Sequence, residues 1–520
     1  MNSKEHTNAQ PQPASSARHV IRSAALVAFF FAVDKVLGLL RDVVVSRTFG
    51  ASAALDAYYA AFELPDGLFT VVAGSALATS LIPVLSAHVG RGERESVWRL
   101  VSAILNLVLL IVAAVSIVAA IFAPQVIRAV APGFDAPRQH LATQLMRLVL
   151  LQTLVSSASG VVMSVLQAHQ HFLLPAAAPL AYTLGRIGGT LFLAPKFGIF
   201  GLAMGGLAGT VGHLLIQVPG LIHYRARWWP ILRHPDLRQV LALMGPRMLG
   251  LGATYLNFVL PTFLGSRLPY GAISTYEYGW RLMQFPETII GTALGLTVFP
   301  TLAERANAGD RAGLRRAASW ALRLVLALAI PAAAGLLLLG QPLTAILLQR
   351  GAFDAEATAR VAYVLRFFAL GLIAHSALEV VSRLFYAQRD MWAPLWAALG
   401  GLLLNAGSGW LLLPTLAEGG IALANALGVC FQVAFLLFMA HRRLEGIEAR
   451  ALAQSLGRTL LGTAVMAVAV VGIQIALPGK GTLVETGGSV AAGGVAYLIM
   501  AVLLQQEVFM DLLARAKSRE

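Results

Sequence analysis

Long apolar runs separated by short polar connections recur along the whole chain, from Ile21 to Leu504. A helix needs about 18–20 mostly apolar residues to cross the hydrocarbon core of a bilayer. The pattern therefore predicts an all-α polytopic membrane protein with about fourteen transmembrane helices. The predicted spans lie near residues 22–47, 54–86, 98–123, 141–168, 175–196, 199–223, 238–265, 271–302, 316–339, 358–386, 392–413, 419–441, 456–477 and 486–505.

Alternate connections between these spans differ sharply in charge. One set is nearly without basic residues, as in GASAAL and PKFGIF, whereas the other set is rich in arginine. Cytoplasmic connections of membrane proteins carry the excess of Lys and Arg, so we expect the arginine-rich set and both termini in the cytoplasm. The arginine-rich set contains Arg91, Arg94, Arg99, Arg225, Arg227, Arg233, Arg238, Arg305, Arg311, Arg315, Arg316, Arg383, Arg389, Arg442, Arg443, Arg450 and Arg458.

Two segments in the first half of the chain are each repeated in the second half. GSALATSLIPVL at 74–85 matches GTALGLTVFPTL at 291–302, and LQAHQHFLLP at 166–175 matches FYAQRDMWAP at 385–394. Such repeats in transporters form lobes related by a pseudo-two-fold axis, which runs along the membrane normal when the copies are parallel. We expect a disordered cytoplasmic N-terminus at 1–18, an N-lobe of six spans at 19–235, a C-lobe of six spans at 236–445, and a C-terminal helix pair with a short tail at 446–520.

Composition narrows the possible functions. Of the 520 residues, 58% are hydrophobic and 12% are charged, against about 25% charged in a soluble domain. The net charge of +14 follows from membrane topology, so no nucleic-acid partner is expected. A single cysteine, Cys430, allows no internal disulfide, and neither a metal-binding cysteine pair nor a phosphate-binding GxxxxGK[ST] loop occurs. We therefore expect a transporter rather than an enzyme, without cofactor or metal.

The stretch from Ala24 to Asp66 is apolar yet charged. Its predicted spans contain two acid–base neighbours, Asp34–Lys35 and Arg41–Asp42, followed by Asp56 and Glu63. A charged side chain at bilayer depth costs at least about 2.5–3.5 kcal/mol, so such groups pair or line wet cavities. We interpret this charge as the lining of a central, water-filled cavity that receives an anionic cargo. The alternative is that Arg41, Asp42 and Arg47 lie at the membrane surface and that Asp56, Glu63 and Asp66 belong to a loop.

Two further pairs have the spacing of neighbours on a helix. Glu277 lies four residues before Arg281, so the two side chains share a face and can form an ion pair. This pair could orient Arg281 or take part in gating. His375 and Glu379 have the same spacing, which suits a proton relay or a purely structural contact.

Several motifs follow one another along the chain: GLLRDVVVSRTFGASAALDAYYAAFELP at 38–65, APGF at 131–134, RLMQFP at 281–286, GTALGLTVFPTL at 291–302, QRGAF at 349–353 and FYAQRDMWAP at 385–394. With these motifs the chain resembles the MurJ (MviN) family of lipid II flippases, within the multidrug/oligosaccharidyl-lipid/polysaccharide (MOP) exporter superfamily. The resemblance implies transport of undecaprenyl-pyrophosphate-linked disaccharide-pentapeptide from the inner to the outer leaflet of the bacterial inner membrane, by alternating access. The implied partners are this polyprenyl-pyrophosphate-linked glycan, membrane lipids and cell-wall synthesis enzymes.

The resemblance also implies site residues. Arg41 and Arg281 match arginines of the family's cationic cavity, and Lys35 stands where the family has arginine. These three residues are the predicted substrate-binding groups. Asp56 matches an acidic position of the family. The predicted gating residues are Asp56, Glu277, and also Asp34 and Glu63, two acids that this chain gains relative to the family pattern.

The chain departs from the family pattern at three positions. Thr70 replaces an arginine, and Gly74 and Gln284 each replace an acidic residue. About half of the family's charged set is therefore kept. Three alternatives stay open: a flippase for another polyprenyl-linked glycan, a multidrug or polysaccharide exporter of the same superfamily, and a degenerate, non-transporting scaffold of a wall-synthesis complex.

Overall fold

The computed structural model describes residues 14–444, 446, 448–476, 482–506 and 510, and in these residues it contains helices and no β-strand. The prediction of an all-α protein is confirmed. The helices are α1 (Ala14–Phe49), α2 (Ala53–Leu68), α3 (Ser75–Gly90), α4 (Arg94–Ile121), α5 (Ala123–Val130), α6 (Ala136–Ala168), α7 (Leu173–Gly188), α8 (Ala194–Phe197), α9 (Ile199–His223), α10 (Leu237–Gly265), α11 (Ala272–Glu287), α12 (Ala293–Asn307), α13 (Arg311–Leu348), α14 (Ala355–Ala387), α15 (Trp392–Arg443), α16 (Ala449–Ala476) and α17 (Thr482–Leu503).

Within the described residues, 10 helical segments are long and apolar enough to cross a membrane. One of them, α15, has 52 residues and covers two predicted spans, 392–413 and 419–441. Ala417 separates these spans, because its φ of 47° and ψ of −130° interrupt the helical backbone. The multi-span architecture is thus present, and the number fourteen stays a prediction.

The N-terminal segment predicted to be disordered is only partly described. Residues 1–13 lie outside the described residues, whereas α1 begins at Ala14. The expectation of a disordered cytoplasmic segment over residues 1–18 stays a prediction.

The two copies of the GSAL/GTAL repeat have the same local structure. In each copy a 16-residue helix containing a proline leads into a five-residue π-helical turn, and a second helix follows. The π-helical turns are Phe69–Ala73 between α2 and α3, and Thr288–Thr292 between α11 and α12. A π-helical turn accommodates one extra residue and often marks a functional position. The sequence repeat therefore encodes a repeated interruption of a membrane-spanning helix.

The described chain divides into two compact units. The first unit holds the chain up to Val45 together with Leu64–Ala123 and Gln144–Leu251. Its core joins Leu77 and Leu81 of α3 to Trp98 of α4 and Val165 of α6. These large side chains are buried because each helix presents one apolar stripe to its neighbours.

Glycines allow two helices of the first unit to approach closely. A Cβ atom on Gly185 of α7 would lie 2.4 Å from the Cα of Gly209 of α9. A Cβ atom on Gly205 would likewise lie 2.5 Å from the Cα of Gly189. The glycines that repeat every four residues at 201, 205 and 209 are thus a packing face, as their spacing predicts.

The second unit holds Ser46–Glu63, Pro124–Thr143 and the chain from Gly252 onward. One core cluster of this unit joins Leu302 of α12, Leu322 of α13, Phe385 of α14 and Leu436 of α15. In the C-terminal helix pair, the Tyr497 hydroxyl of α17 donates a hydrogen bond to the Ala327 carbonyl of α13. The two units do not follow the predicted boundaries along the chain, and the division into lobes at 19–235 and 236–445 stays a prediction.

Candidate functional site: a polar cavity in the second unit

A polar cavity of about 900 Å³ opens within the second unit. Helices α10, α11, α12, α14 and α15 line it. All five helices have a mostly apolar composition, so a cluster of polar side chains is unusual among them. Its charged and amide-bearing lining residues are Asn257, Glu277, Arg281, Gln284, Glu287, His375, Glu379, Arg383, Asn405, Asn425 and Gln432.

Arg281 lies on the α11 wall of this cavity. Its guanidinium Nη2 is 3.6 Å from Glu277 Oε2, so the ion pair predicted from the i,i+4 spacing is present. The guanidinium carbon also lies 5.4 Å from the centre of the Tyr59 ring, within the range of a cation–π contact. The side chain of Arg281 is 24% exposed. Arg281 is thus held in place while part of it faces the cavity.

Arg383 lies on the α14 wall, and sequence reasoning did not identify it as a site residue. Charge alternation assigns it to a basic connection, but α14 continues to Ala387, so Arg383 lies within the helix. Its Nη1 donates to Glu379 Oε2 and, at 2.5 Å, to the Glu379 carbonyl oxygen. The pairing has the same i,i+4 arrangement as Glu277 and Arg281. Among its described lining residues, the cavity thus has two arginines, each paired with the glutamate one turn before it.

The α12 backbone passes close to the guanidinium of Arg383. A Cβ atom on Gly295 would lie 2.3 Å from Arg383 Nη1 and 2.7 Å from its guanidinium carbon. No other residue type fits there without moving the guanidinium, since real Cβ contacts are never that short. The local sequence GTALGLT of the repeat therefore supplies the space that the guanidinium occupies.

The remaining polar groups supply hydrogen-bonding capacity without positive charge. The Asn405 amide donates to Asn257 Oδ1 at 3.3 Å, and His375 Nε2 lies 3.0 Å from Asn425 Oδ1. The His375 ring also packs edge-on against Trp280, with ring centres 5.2 Å apart. The contacts of His375 in the described residues favour the structural alternative for this residue over a relay.

Asp56 accepts three hydrogen bonds at the start of α11. Its Oδ2 accepts from the Gly271 amide at 2.7 Å, and its Oδ1 accepts from the Ser274 amide and hydroxyl at 2.8 Å each. Asp56 is only 1% exposed. A carboxylate at a helix N-terminus satisfies otherwise unpaired N–H groups and the positive end of the helix dipole. This predicted gating residue therefore positions the helix that carries Arg281.

Glu63 connects α2 to α10 within the second unit. Its Oε1 accepts from the Thr262 hydroxyl at 2.5 Å, and its backbone carbonyl accepts from the Tyr255 hydroxyl at 2.8 Å. Neither Glu63 nor Asp56 is among the described residues that line the cavity, whereas Glu277 is. The structure thus brings Glu277 and Arg281 together in the cavity, whereas Asp56 and Glu63 make their contacts with α10 and with the start of α11.

The predicted site residues of the first unit all lie on α1. Asp34 Oδ1 accepts from the Thr183 hydroxyl of α7 at 3.1 Å. The Lys35 ammonium is exposed and lies 5.3 Å from the Phe31 ring centre. Arg41 donates to the Asp42 carboxylate through Nε at 3.0 Å and Nη2 at 2.8 Å. Arg41 therefore has a carboxylate neighbour within its own turn.

The three departures from the family pattern have different surroundings. Thr70 lies in the first π-helical turn, and Gly74 follows that turn directly. Gln284 lines the cavity of the second unit next to Arg281. An amide at position 284 offers hydrogen bonds but no charge. The charge of the described cavity lining therefore comes from the two ion pairs, Glu277–Arg281 and Glu379–Arg383, and from Glu287.

Comparison with known proteins places these features in a family. The family model described as lipid II flippase MurJ matches residues 45–486. A lipid II flippase MurJ of Burkholderia cenocepacia is 30% identical over 437 residues, which cover 82% of this chain and 84% of that protein. A probable lipid II flippase MurJ of Synechocystis is 29% identical over 473 residues, covering 87% of each chain.

Solved structures show the same fold. A structure of lipid II flippase MurJ in an inward closed conformation matches with a TM-score of 0.80 at 22% identity, covering 93% of this chain and 100% of that one. An inward-facing multidrug transporter of the MATE family, in the MOP superfamily, matches with a TM-score of 0.66 at 14% identity, covering 79% and 94%. Since the family model extends over most of the sequence, the chain belongs to the lipid II flippase MurJ family, whose members are membrane transporters rather than enzymes.

Proposed function

We propose that this protein moves lipid II, the undecaprenyl-pyrophosphate-linked peptidoglycan precursor, from the inner to the outer leaflet of the bacterial inner membrane by alternating access. The curated relatives carry the name of this activity. In this proposal both termini face the cytoplasm, the lobes comprise 19–235 and 236–445, and enzymes of cell-wall synthesis receive the product. The observation that supports the proposal most strongly is the pair of glutamate-bound arginines, Arg281 and Arg383, in one cavity.

A pyrophosphate group needs such arginines. Guanidinium groups donate two parallel hydrogen bonds to phosphate oxygens, and they keep their charge in any protein environment. Glu277 and Glu379 hold the two arginines while the cavity is empty. When a diphosphate enters, its oxygens take the place of the glutamate oxygens, so the arginines are never left as unpaired charges in a membrane.

The neutral lining suits the rest of the headgroup. A cavity of about 900 Å³ is at the upper end of ordinary ligand sites, which span about 300–1,000 Å³. Asn257, Asn405, Asn425 and Gln432 provide donors and acceptors for sugar hydroxyls and peptide amides. In the first unit, Lys35 and Arg41 are the proposed substrate-binding residues and Asp34 a proposed gating residue.

The direct test is complementation of a bacterial strain depleted of its own lipid II flippase. The wild-type gene should restore growth, and Arg281→Ala and Arg383→Ala should fail although the proteins reach the membrane in normal amounts. Arg350→Ala is the matched control, since Arg350 is an exposed arginine that donates to the Leu347 and Ile346 carbonyls and does not line the cavity. Failure of the wild type to restore growth despite normal insertion would overturn the assignment of lipid II.

A second candidate function is export of a cationic compound. Within the part of the lining that the structure describes, three glutamates, Glu277, Glu287 and Glu379, outnumber two arginines, and Trp280 provides an aromatic face. Binding measurements with purified protein separate the two functions. Saturable binding of lipid II that Arg281→Ala abolishes supports the flippase, whereas binding of a hydrophobic cation that Glu287→Gln abolishes supports the exporter.

A further inference from the structure

A histidine at the end of α3 lies between two carboxylates in the first unit. His88 is 7% exposed, so nearly all of its surface is buried. Its Nδ1 lies 2.5 Å from Glu93 Oε2, and its Nε2 lies 2.8 Å from Asp236 Oδ2. Glu93 directly precedes α4 and Asp236 directly precedes α10, so one imidazole ring joins the ends of three helices. None of these three residues lines the cavity of the proposed function.

The two contacts of His88 require a particular protonation state. An ionised carboxylate only accepts hydrogen bonds, so each contact needs an N–H group on the imidazole ring. A neutral imidazole has one N–H group, whereas the imidazolium cation has two. His88 therefore bonds to both acids only while both of its ring nitrogens carry a proton.

The neighbouring histidine, His234, is in the opposite state. Its Nδ1 accepts a hydrogen bond from the Asp236 amide at 3.2 Å, so this nitrogen carries no proton. Burial lowers the pKa of His234; the charge of Asp236 raises it, and the charges of His88 and Arg99 lower it further. The geometry thus gives His88 the charge and leaves His234 neutral.

The charged groups around His88 balance its protonated form. Arg91 Nη2 lies 3.3 Å from His88 Nδ1, and Arg91 Nε lies 3.4 Å from Glu93 Oε1. Arg91 opposes the charge of His88, but its side chain is 60% exposed, so water and salt screen it. Among the described residues, the titratable and charged groups that face His88 from the elements packed against it are Arg91, Glu93, His234 and Asp236.

The start of α10 is the element that these contacts hold. The Leu237 amide donates to the His234 carbonyl, and the Val240 amide donates to the Asp236 carbonyl, each at 3.1 Å. Further along, α10 carries Asn257, which lines the cavity. We propose that His88 is a proton-operated latch, which fastens the start of α10 to the ends of α3 and α4 while its imidazole is protonated and releases it when a proton is lost.

The latch has a definite direction of response to pH. Histidine side chains ordinarily exchange their proton with water between about pH 5 and 8. As the pH rises, one ring nitrogen of His88 comes to present a lone pair to a carboxylate, and the two repel each other. The stabilisation of the start of α10 is therefore present at low pH and lost at high pH. It does not depend on the cargo of the cavity, so its failure and the failure of the proposed function are distinguishable.

Hydrogen–deuterium exchange of the full-length protein in detergent, without a transport substrate, tests the latch. The readout is the peptide spanning 231–240, after correction for the intrinsic pH dependence of amide exchange. In the wild type this peptide should exchange about tenfold or more faster at about pH 8.5 than at about pH 6, because a charged hydrogen bond is lost. His88→Ala should exchange fast at both pH values. His441→Gln, which replaces an exposed histidine at the end of α15, is the control and should respond like the wild type.

Asp236→Asn protects this test against misfolding. An amide donates to a neutral ring nitrogen as well as it accepts from a protonated one, so this variant should exchange slowly at both pH values. A damaged protein would not show that protection. The proposal is overturned if the wild-type peptide exchanges at the same corrected rate at both pH values, or if the pH response persists in His88→Ala or in Asp236→Asn.

Discussion

The guanidinium of Arg383 occupies the space that any side chain on Gly295 would need, since a Cβ atom there would lie 2.3 Å from Arg383 Nη1. Gly295 belongs to α12 and Arg383 to α14, so this contact joins the repeated GTAL motif to the charged wall of the cavity. A substitution at Gly295 can therefore displace the guanidinium of Arg383 without altering its charge.

Gly295→Ala should therefore lower transport, but less than Arg383→Ala does, because the flexible arginine side chain can shift away from the added methyl group. Alanine within a helix is favoured over glycine by about 0.5–1 kcal/mol, so thermal stability in detergent should fall little or not at all. Transport is measured by the accessibility of labelled lipid II to a membrane-impermeant reductant in proteoliposomes. Gly335→Ala in α13 is the control, because its Cβ atom would meet open space. Normal transport by Gly295→Ala alongside inactive Arg383→Ala would contradict this prediction.

The ion pair between Glu277 and Arg281 allows gating to be separated from simple orientation. If the glutamate competes with the diphosphate for Arg281, Glu277→Gln should bind lipid II several-fold more tightly and transport it more slowly, because release becomes harder. Arg281→Lys should bind more weakly than the wild type, since a lysine keeps the charge but lacks the planar fork. Equilibrium binding of lipid II to purified protein checks both variants. Weaker binding by Glu277→Gln would instead mean that the glutamate only orients Arg281.

The three hydrogen bonds that Asp56 accepts predict a role in stability. Asp56→Ala should lower the thermal stability of the purified protein by an amount equivalent to about 2 kcal/mol or more, because it leaves buried donors of α11 unpaired. Asp56→Asn should have a smaller effect, since one oxygen acceptor remains.

Asp354 gives a matched comparison for Asp56. It caps α14 through a single hydrogen bond of 2.8 Å from the Ala357 amide, and it is exposed, so Asp354→Ala should cost about 1 kcal/mol. A variant Asp56→Asn that melts like the wild type but does not transport would show that Asp56 acts in gating, as the sequence predicts.

Asn106 of α4 makes three of the hydrogen bonds that hold the connection between α9 and α10 against α4 in the first unit. Asn106 donates to the Trp229 and Ile231 carbonyls at 2.8 and 2.9 Å, and it accepts from the Trp228 indole at 2.8 Å. Asn106→Leu should release this connection, because each lost hydrogen bond contributes about 1 kcal/mol. Trypsin should then cut faster after Arg227 and Arg233. Ser96→Ala, which removes only a 3.4 Å contact to His234, should leave the cleavage rate unchanged.

The sequence predicts local relationships well, because helix geometry sets them. The all-α architecture follows from the length of the apolar runs, and the Glu277–Arg281 pair follows from a spacing that places both side chains on one face. The packing glycines of α9 follow from their regular spacing in the same way. In each case, residues a few positions apart determine the result.

Relationships between distant residues could not be predicted in this way. Asp56 looks like a charged cavity residue from its own neighbours, and only the approach of Gly271 and Ser274 makes it a helix cap. Arg383 looks like part of a basic connection, and only the close approach of α12 gives it a fixed place in the cavity. A charge count along the chain cannot distinguish an arginine at the end of a helix from one that faces a neighbouring helix.

The π-helical turn at Thr288–Thr292 sets the direction of everything that follows it on α12. A single residue more or less in a helix rotates the downstream side chains by about 100°. Leu296 and Phe299 reach the cavity only with this turn as it is. Loss of one residue from 288–292 would turn Leu296 and Phe299 away from the cavity. It would also move Gly295 away from the guanidinium of Arg383. We therefore expect insertions and deletions in this short segment to impair the protein far more than substitutions do, although the segment makes few contacts with the charged residues of the cavity.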